Sequence, residues 1–250
     1  MKNKNENYKA VILAAGIGSR IREVMDIPKS MIKIDGKYIF EMMVDVLIAA
    51  GIRDIIFIVG YKRKQLKSLI LSICSKKVAK ITFIENKLYR ETNTLFSLWL
   101  ARRLLNCKFV YLHGDLIFSP KMLEDFLLFQ HGNCAIVDKN FPKDWDDAMK
   151  VICHRGEIEY MSKSITMSES DGTAIGIYKF NAIGANRLFG IIDKLVKKGV
   201  KKNWVSEAIN ILGKRVRIKA KYNYAHSWVD VDNLVDLKMA NKILQRIERE

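Results

Sequence analysis

The chain has 250 residues, nearly half of them apolar, and a net charge of +16 from 43 Lys and Arg against 27 Asp and Glu. That length allows one large domain or two small ones around a sizeable core, and no apolar run reaches the ~18 residues of a membrane span. The polar opening MKNKNENYK is not expected to be a secretory signal, and Cys74, Cys107, Cys134 and Cys153, with no C-x-x-C among them, read as reduced core thiols of a cytoplasmic protein.

Residues 1–7 are expected to fray. Lys9–Leu13 is the first strand, apolar and bounded by small residues. A short strand with a turn is expected at residues 32–37, and Ile39–Ala50 has apolar residues at helical spacing and stops at Gly51. Strand Asp54–Val59, helix Lys62–Ser75, strand Lys80–Ile84, helix Thr94–Leu105 and strand Lys108–Leu112 follow. Then come helix Pro120–Phe129, with Pro in its first turn, and strand Asn133–Val137. This rhythm predicts an α/β fold whose mostly parallel sheet is covered by helices on both faces. Beyond it, Ala148–Cys153 and Glu157–Met161 read as a hairpin and Thr173–Phe180 as a strand. Ile183–Lys197 and Asn203–Leu212 read as helices, Arg215–Ala220 as a strand and Leu234–Glu250 as a closing helix. No Pro/Gly/Ser linker or repeat interrupts the chain. A single domain over 1–250 is expected, with a core at 8–138 and 215–250 and a β-rich acceptor-binding insertion at about 140–230.

The stretch VILAAGIGSRIREVMDIPK organises the rest. An apolar strand runs into Leu13, Ala14, Ala15, Gly16, Ile17, Gly18, Ser19 and Arg20, and a polar stretch leads to Pro28 and Lys29. Small residues let a backbone approach a ligand, and successive N–H groups then cradle phosphate oxygens. Arg20 adds a forked cation and Lys29 a point charge, a pair suited to a triphosphate. A glycine pair is also what an ordinary turn contains. There is no G-x-x-x-x-G-K-[ST], and Ile21 stands where a dinucleotide fingerprint has its last Gly.

Ligands of open α/β sheets bind outside the carboxyl ends of strands, so the Ala15 loop and Asp115, after strand VYLHGD, share one expected crevice. A carboxylate there suits Mg²⁺, although Asp is also common in turns and caps. In W-V-D-V-D-N, alternation puts Asp230 and Asp232 on one side, a costly pairing unless a cation neutralises it; Asp232 or Asn233 also suits the cap of the last helix. The basic charge admits nucleic acid, an anionic membrane surface or a polyanionic small substrate. Lys and Arg are spread over the whole chain, densest at Lys197-Lys198 and Lys201-Lys202, and no C₂H₂, RRM or KH motif appears, so no specific nucleic acid is expected.

L-A-A-G-x-G-S-R followed by P-K resembles the N-terminal motif of the sugar-phosphate nucleotidyltransferase superfamily, whose loop binds a nucleoside triphosphate with Arg and Lys on the phosphates. The resemblance extends to Gly114-Asp115 and the late Asp230 and Asp232, where relatives hold Mg²⁺, and so covers most of the chain. Asn86, Tyr89, Thr92, Asn93, Thr94 and Ser97 resemble one branch, the bacterial CTP:phosphocholine cytidylyltransferases and their phosphonate-using cousins, where this segment lies near the cytosine. Lys150 and Lys163 match lysines that face phosphates in that branch. T-N-T stands here where the branch often has T-N-N, and its final acidic pair varies between Glu and Asp. The resemblance implies a Rossmann-like, GT-A-like fold and a Mg²⁺-dependent cytidylyltransferase, joining CTP to a phosphorylated small alcohol or amino alcohol. A homodimer is allowed, and no transmembrane segment is implied.

Trp145, Tyr178, Trp204 and Trp228 offer aromatic faces for a quaternary ammonium, and Trp145 lies among Asp144, Asp146 and Asp147. Each also reads as core or as an ordinary polar loop. A sugar-1-phosphate or inositol-phosphate nucleotidyltransferase is the alternative within the class. A non-catalytic nucleotide-binding regulator is the alternative from another class.

Overall fold

The computed structural model describes residues 8–22, 25–78, 80–140 and 147–250. In chain order come β1 (Lys9–Ala14), α1 (Ser19–Arg22), a 3₁₀ turn at Lys29–Met31, and the small hairpin β2 (Lys33–Ile34) and β3 (Lys37–Tyr38). Next are α2 (Ile39–Ala49), β4 (Asp54–Val59), α3 (Arg63–Cys74), β5 (Lys80–Glu85), α4 (Thr94–Leu100), β6 (Phe109–His113) and β7 (Leu116–Phe118). The chain continues through α5 (Pro120–Leu128), β8 (Cys134–Asp138), β9 (Lys150–His154), β10 (Glu157–Ser162), a 3₁₀ turn at Met167–Glu169 and β11 (Gly172–Phe180). It ends with α6 (Ala182–Lys197), α7 (Val205–Gly213), β12 (Lys219–Asn223), β13 (Trp228–Asp230) and α8 (Leu234–Ile247).

The main sheet has the order β5-β4-β1-β6-β11-β8-β12-β10-β9. Its first four strands are parallel, and β11 is antiparallel to both β6 and β8. The α/β class holds, and the mixed character comes from the second half. Strands β9 to β11, from the expected insertion, are members of this same sheet, and β11 also pairs with β9.

Alternation in the strands divides the core. Ala10, Ile12 and Ala14 of β1, with Ile55, Phe57 and Val59 of β4, face α2, α3, α5 and α8. Val11, Ile56 and Ile58 face α4, α6 and α7. Both faces of β4 are covered, so it reads DIIFIV without polar interruption.

Three differences from the expected elements matter. Helix α4 ends at Leu100, not Leu105, because the chain tightens there into i→i−3 bonds, Ala101 to Leu98 and Arg102 to Trp99. The strand expected at Arg215–Ala220 begins at Lys219, since Arg215 and Val216 still donate to the Leu212 carbonyl. Strands β7 and β13 have no counterpart among the expected elements; they pair antiparallel, with Leu116 opposite Asp230. Asn233, not Asp232, caps α8: its side chain accepts from Val235 N and Asp236 N, and Asp236 accepts from Asn233 N in return.

Candidate active site

The site forms where the parallel strands end. After β1 the chain turns at Gly18, whose φ of +65° suits glycine and whose missing Cβ leaves room for the Lys29 side chain; a Cβ would lie 2.9 Å from Lys29 Cγ. Pro28 and the 3₁₀ turn then bring Lys29 back beneath the loop. A cavity of about 180 Å³ opens there, lined by Leu13, Ala14, Ala15, Gly16 and Gly18 on one side and Asn86, Tyr89, Asn93, Thr94 and Ser97 on the other. Ser19 is not in this lining; it starts α1. Asn86 organises the second wall, donating to Thr92 Oγ1 and Ser97 Oγ, both at 3.0 Å, while its Oδ1 accepts from Leu88 N. Thr94 Oγ1 accepts from Val205 N, which ties this wall to α7.

The β7–β13 pairing brings Asp230 and Asp232 to Asp115. One carboxylate oxygen from each lies within 4.8 Å of the others. Asp230 Oδ1 is buried with no hydrogen-bond partner among the described residues. Burial, then the charges of Asp115 and Asp232, push the Asp230 carboxyl well above the usual carboxylate range. An all-oxygen set with one orphaned acceptor fits a hard divalent cation. Lys29 Nζ touches Asp115 at 2.8 Å and also bonds Asp232. Burial opposes its charge, but Asp115, Asp230 and Asp232 outweigh it and hold Lys29 far above the ordinary lysine range.

A second cavity, about 560 Å³, continues from this cluster. Arg20 reaches Asp232 at 2.8 Å and Asp147 at 2.7 Å, and Lys163 reaches the other oxygen of Asp147 at 2.5 Å. Asp147 is thus clamped between two cations. Burial works against its charge, but Lys163 and Arg20 hold its carboxyl below the usual range. The ammonium of Lys163 also lies 4.7 Å from the centre of the Trp204 ring. Trp228 lines this cavity with its indole N–H bonded to Asp138.

Tyr178 and Lys150 are not brought here either. Tyr178 is buried, stacked on Tyr111 at 5.1 Å within the core on the α4 side, so it lines neither cavity. Its place in the middle of β11, between β6 and β8, makes it core. Lys150 is also buried; its ammonium donates to the Lys163 carbonyl at 2.9 Å, and the residue lines neither cavity. Trp145 lies outside the described residues.

The structure adds His113, Met149, Ile175 and Asp236 to the lining. His113 stands between the two cavities, and burial pushes its imidazole pKa down. Only its place two residues before Asp115 pointed to it; inside an apolar strand it reads as core.

A family model described as nucleotidyl transferase matches residues 9–137. The chain is 26% identical over 237 residues to the Aquifex aeolicus "Bifunctional IPC transferase and DIPP synthase", covering 94% of this chain and 51% of the relative. The chain therefore spans about half the length of that protein. It is 24% identical over 241 residues to the Streptococcus pneumoniae choline-phosphate cytidylyltransferase, covering 95% of this chain and 98% of the relative. The solved inositol-1-phosphate CTP transferase from T. maritima superposes with a TM-score of 0.83 at 20% identity over 97% of both chains, which establishes the shared fold. The chain belongs to the nucleotidyl transferase family.

Proposed function

We propose, from its membership of that family, that this nucleotidyltransferase is a Mg²⁺-dependent cytidylyltransferase. It joins CTP to a phosphorylated small amino alcohol of the phosphocholine kind and releases pyrophosphate. The CTP assignment is supported by the wall built on Asn86, Tyr89, Asn93, Thr94 and Ser97 and by the cytidylyltransferase among its relatives. An oxygen of the acceptor phosphate attacks the α-phosphorus, and the bond from that phosphorus to the bridging oxygen breaks. Pyrophosphate leaves with the electron pair. A phosphate monoester with a second pKa of about 6 is already anionic at neutral pH, so no general base is required. The protein's work is positioning and charge neutralisation. Asp115, Asp230 and Asp232 are the residues that would hold the cation, which supplies charge neutralisation at the phosphates. Lys29 and Arg20 face the charge growing on pyrophosphate, and Lys163 faces the acceptor phosphate.

The observation that carries the acceptor reading is Asp147 held between Arg20 and Lys163. The triphosphate on Arg20 and the acceptor phosphate on Lys163 displace the carboxylate. The freed charge is best satisfied by a cation on the same ligand, so the exchange favours a zwitterionic acceptor over a neutral one. A second reading, an inositol-phosphate or sugar-phosphate acceptor, is favoured by Lys163 already covering the Trp204 face. Pyrophosphate release is the test, with CTP, UTP, dTTP, ATP and GTP each set against phosphocholine, phosphoethanolamine, inositol 1-phosphate and glucose 1-phosphate. Turnover confined to CTP and the two amino alcohols is expected; turnover only with the neutral acceptors replaces the first reading by the second.

A further inference from the structure

The turn after β4 is built as a keystone between the two walls of the nucleotide cavity. Gly60 lies so close to the loop that a Cβ there would stand 2.6 Å from the Ala15 carbonyl oxygen and 2.7 Å from Tyr89 Cβ. Tyr61 is buried, and its N–H donates to that same Ala15 carbonyl at 3.1 Å. Its ring lies 6.2 Å from that of Tyr89, a residue of the second wall. Its hydroxyl donates to Asp26 Oδ1. Lys62 has a left-handed backbone, φ +43°, unusual for a residue with a side chain. Its ammonium donates to Asp26 Oδ2 at 2.7 Å and to the Asp26 carbonyl. Asp26 stands three residues before Lys29. Strained backbone of this sort persists where surrounding contacts over-determine it.

We infer that Tyr61 is a positioning residue for nucleotidyl transfer. Through Asp26 it anchors the far end of the phosphate loop, and through Ala15 and Tyr89 it couples that anchor to the wall opposite. Nucleotide seated against Tyr89 and phosphate held by Lys29 are thereby registered to each other by one buried side chain. Tyr61 lines neither cavity, and among the described residues Tyr61 and Lys62 both bond Asp26. The inference rests on the nucleotide cavity described above, and uses the CTP reading only to choose a probe.

The test is a cycle of Tyr61→Phe, Asp26→Asn and the double variant in the full chain. CTP affinity is read by calorimetry in the presence of Mg²⁺, together with KM, kcat and the melting temperature. Losing one hydrogen bond to a charged group predicts about a tenfold weaker CTP dissociation constant in each single variant, with KM rising to match. The double variant is expected to be no weaker than the weaker single one, because the two residues act as a unit. Tyr61→Phe keeps the ring, so its melting temperature should fall by only a few degrees. Unchanged CTP affinity in Tyr61→Phe, additive losses in the double variant, or losses that only track melting temperature would each overturn the inference. If the wild type binds UTP and not CTP, the base assignment fails by itself, and the same cycle run with UTP decides on Tyr61.

Discussion

Replacing Lys29 by Ala separates its observed pairing with the carboxylates from the duty toward pyrophosphate proposed for it. In the structure it sits against Asp115 and Asp232, with Asp230 contributing to the field around it. The Lys29 side chain is 15% exposed, and those of Asp115 and Asp232 are 21% and 25% exposed. Breaking a fully buried pair costs roughly 3–5 kcal/mol; partial access to water discounts this to about 2–3 kcal/mol. At this chain length that is a fall of about 4–12 °C in melting temperature without added metal. The three carboxylates, relieved of their internal cation, should then bind Mg²⁺ more tightly, so millimolar Mg²⁺ should raise the melting temperature of Lys29→Ala more than that of the wild type. Activity should move the other way. Removing a donor from the charge that grows on pyrophosphate costs roughly 3–4 kcal/mol of transition-state stabilisation, or about 10²–10³ in kcat. Thermal melts with and without Mg²⁺ and pyrophosphate-release kinetics on one preparation read both effects. A Lys29→Ala protein that melts like the wild type, gains nothing extra from Mg²⁺ and keeps its kcat would refute the reasoning.

Asp115→Asn should abolish pyrophosphate release while far-ultraviolet circular dichroism shows an intact fold; near-normal turnover would remove Asp115 from the metal site. Asp147→Asn frees Arg20 and Lys163 of their internal anion, so inorganic phosphate should inhibit at lower concentration while the preference for zwitterionic acceptors narrows; phosphate inhibition and an acceptor panel check the two halves. Lys179 is fully buried, donating to the Phe126 and Phe129 carbonyls at 2.6 Å, and burial pushes its pKa down to about 8. Its folded pKa lies below the unfolded value near 10.4, so between pH 8 and 10 the unfolded chain binds more protons and this group's contribution to stability rises with pH. Chemical denaturation should therefore show the wild type gaining on Lys179→Met by about 2 kcal/mol from pH 7.5 to 10; a constant gap refutes it.

How much of this was legible depends on range. The parallel half follows from apolar strands such as DIIFIV and helices at regular spacing, and the loop from small residues beside Arg20 and Lys29. Asp115, Asp230 and Asp232 were each visible, yet their meeting depends on β7 and β13, three residues each and too short to carry a period. Tyr178 and Lys150 misled because the sequence shows residue type and not facing. Tyr178 sits in a strand paired on both sides, and the Lys150 ammonium serves the Lys163 backbone. Tyr61 and Asp26 lie 35 positions apart, and neither stands in a motif.

Strand β11 bears on how the family's acceptors can be exchanged. Ile177–Phe180 pair with β6, while Gly172 and Thr173 pair with β9. One nine-residue strand is thus stitched into both sides of the cleft. Swinging one side against the other would break a ladder whose rungs are each worth about 1 kcal/mol, so a bending hinge between them is disfavoured. Swapping residues 140–230 as a cassette between relatives would cut through that ladder and leave unpaired strand edges, an invitation to aggregation. Altered acceptor choice is better sought by exchanging the connections at 163–170 and 224–227, which lie outside that ladder.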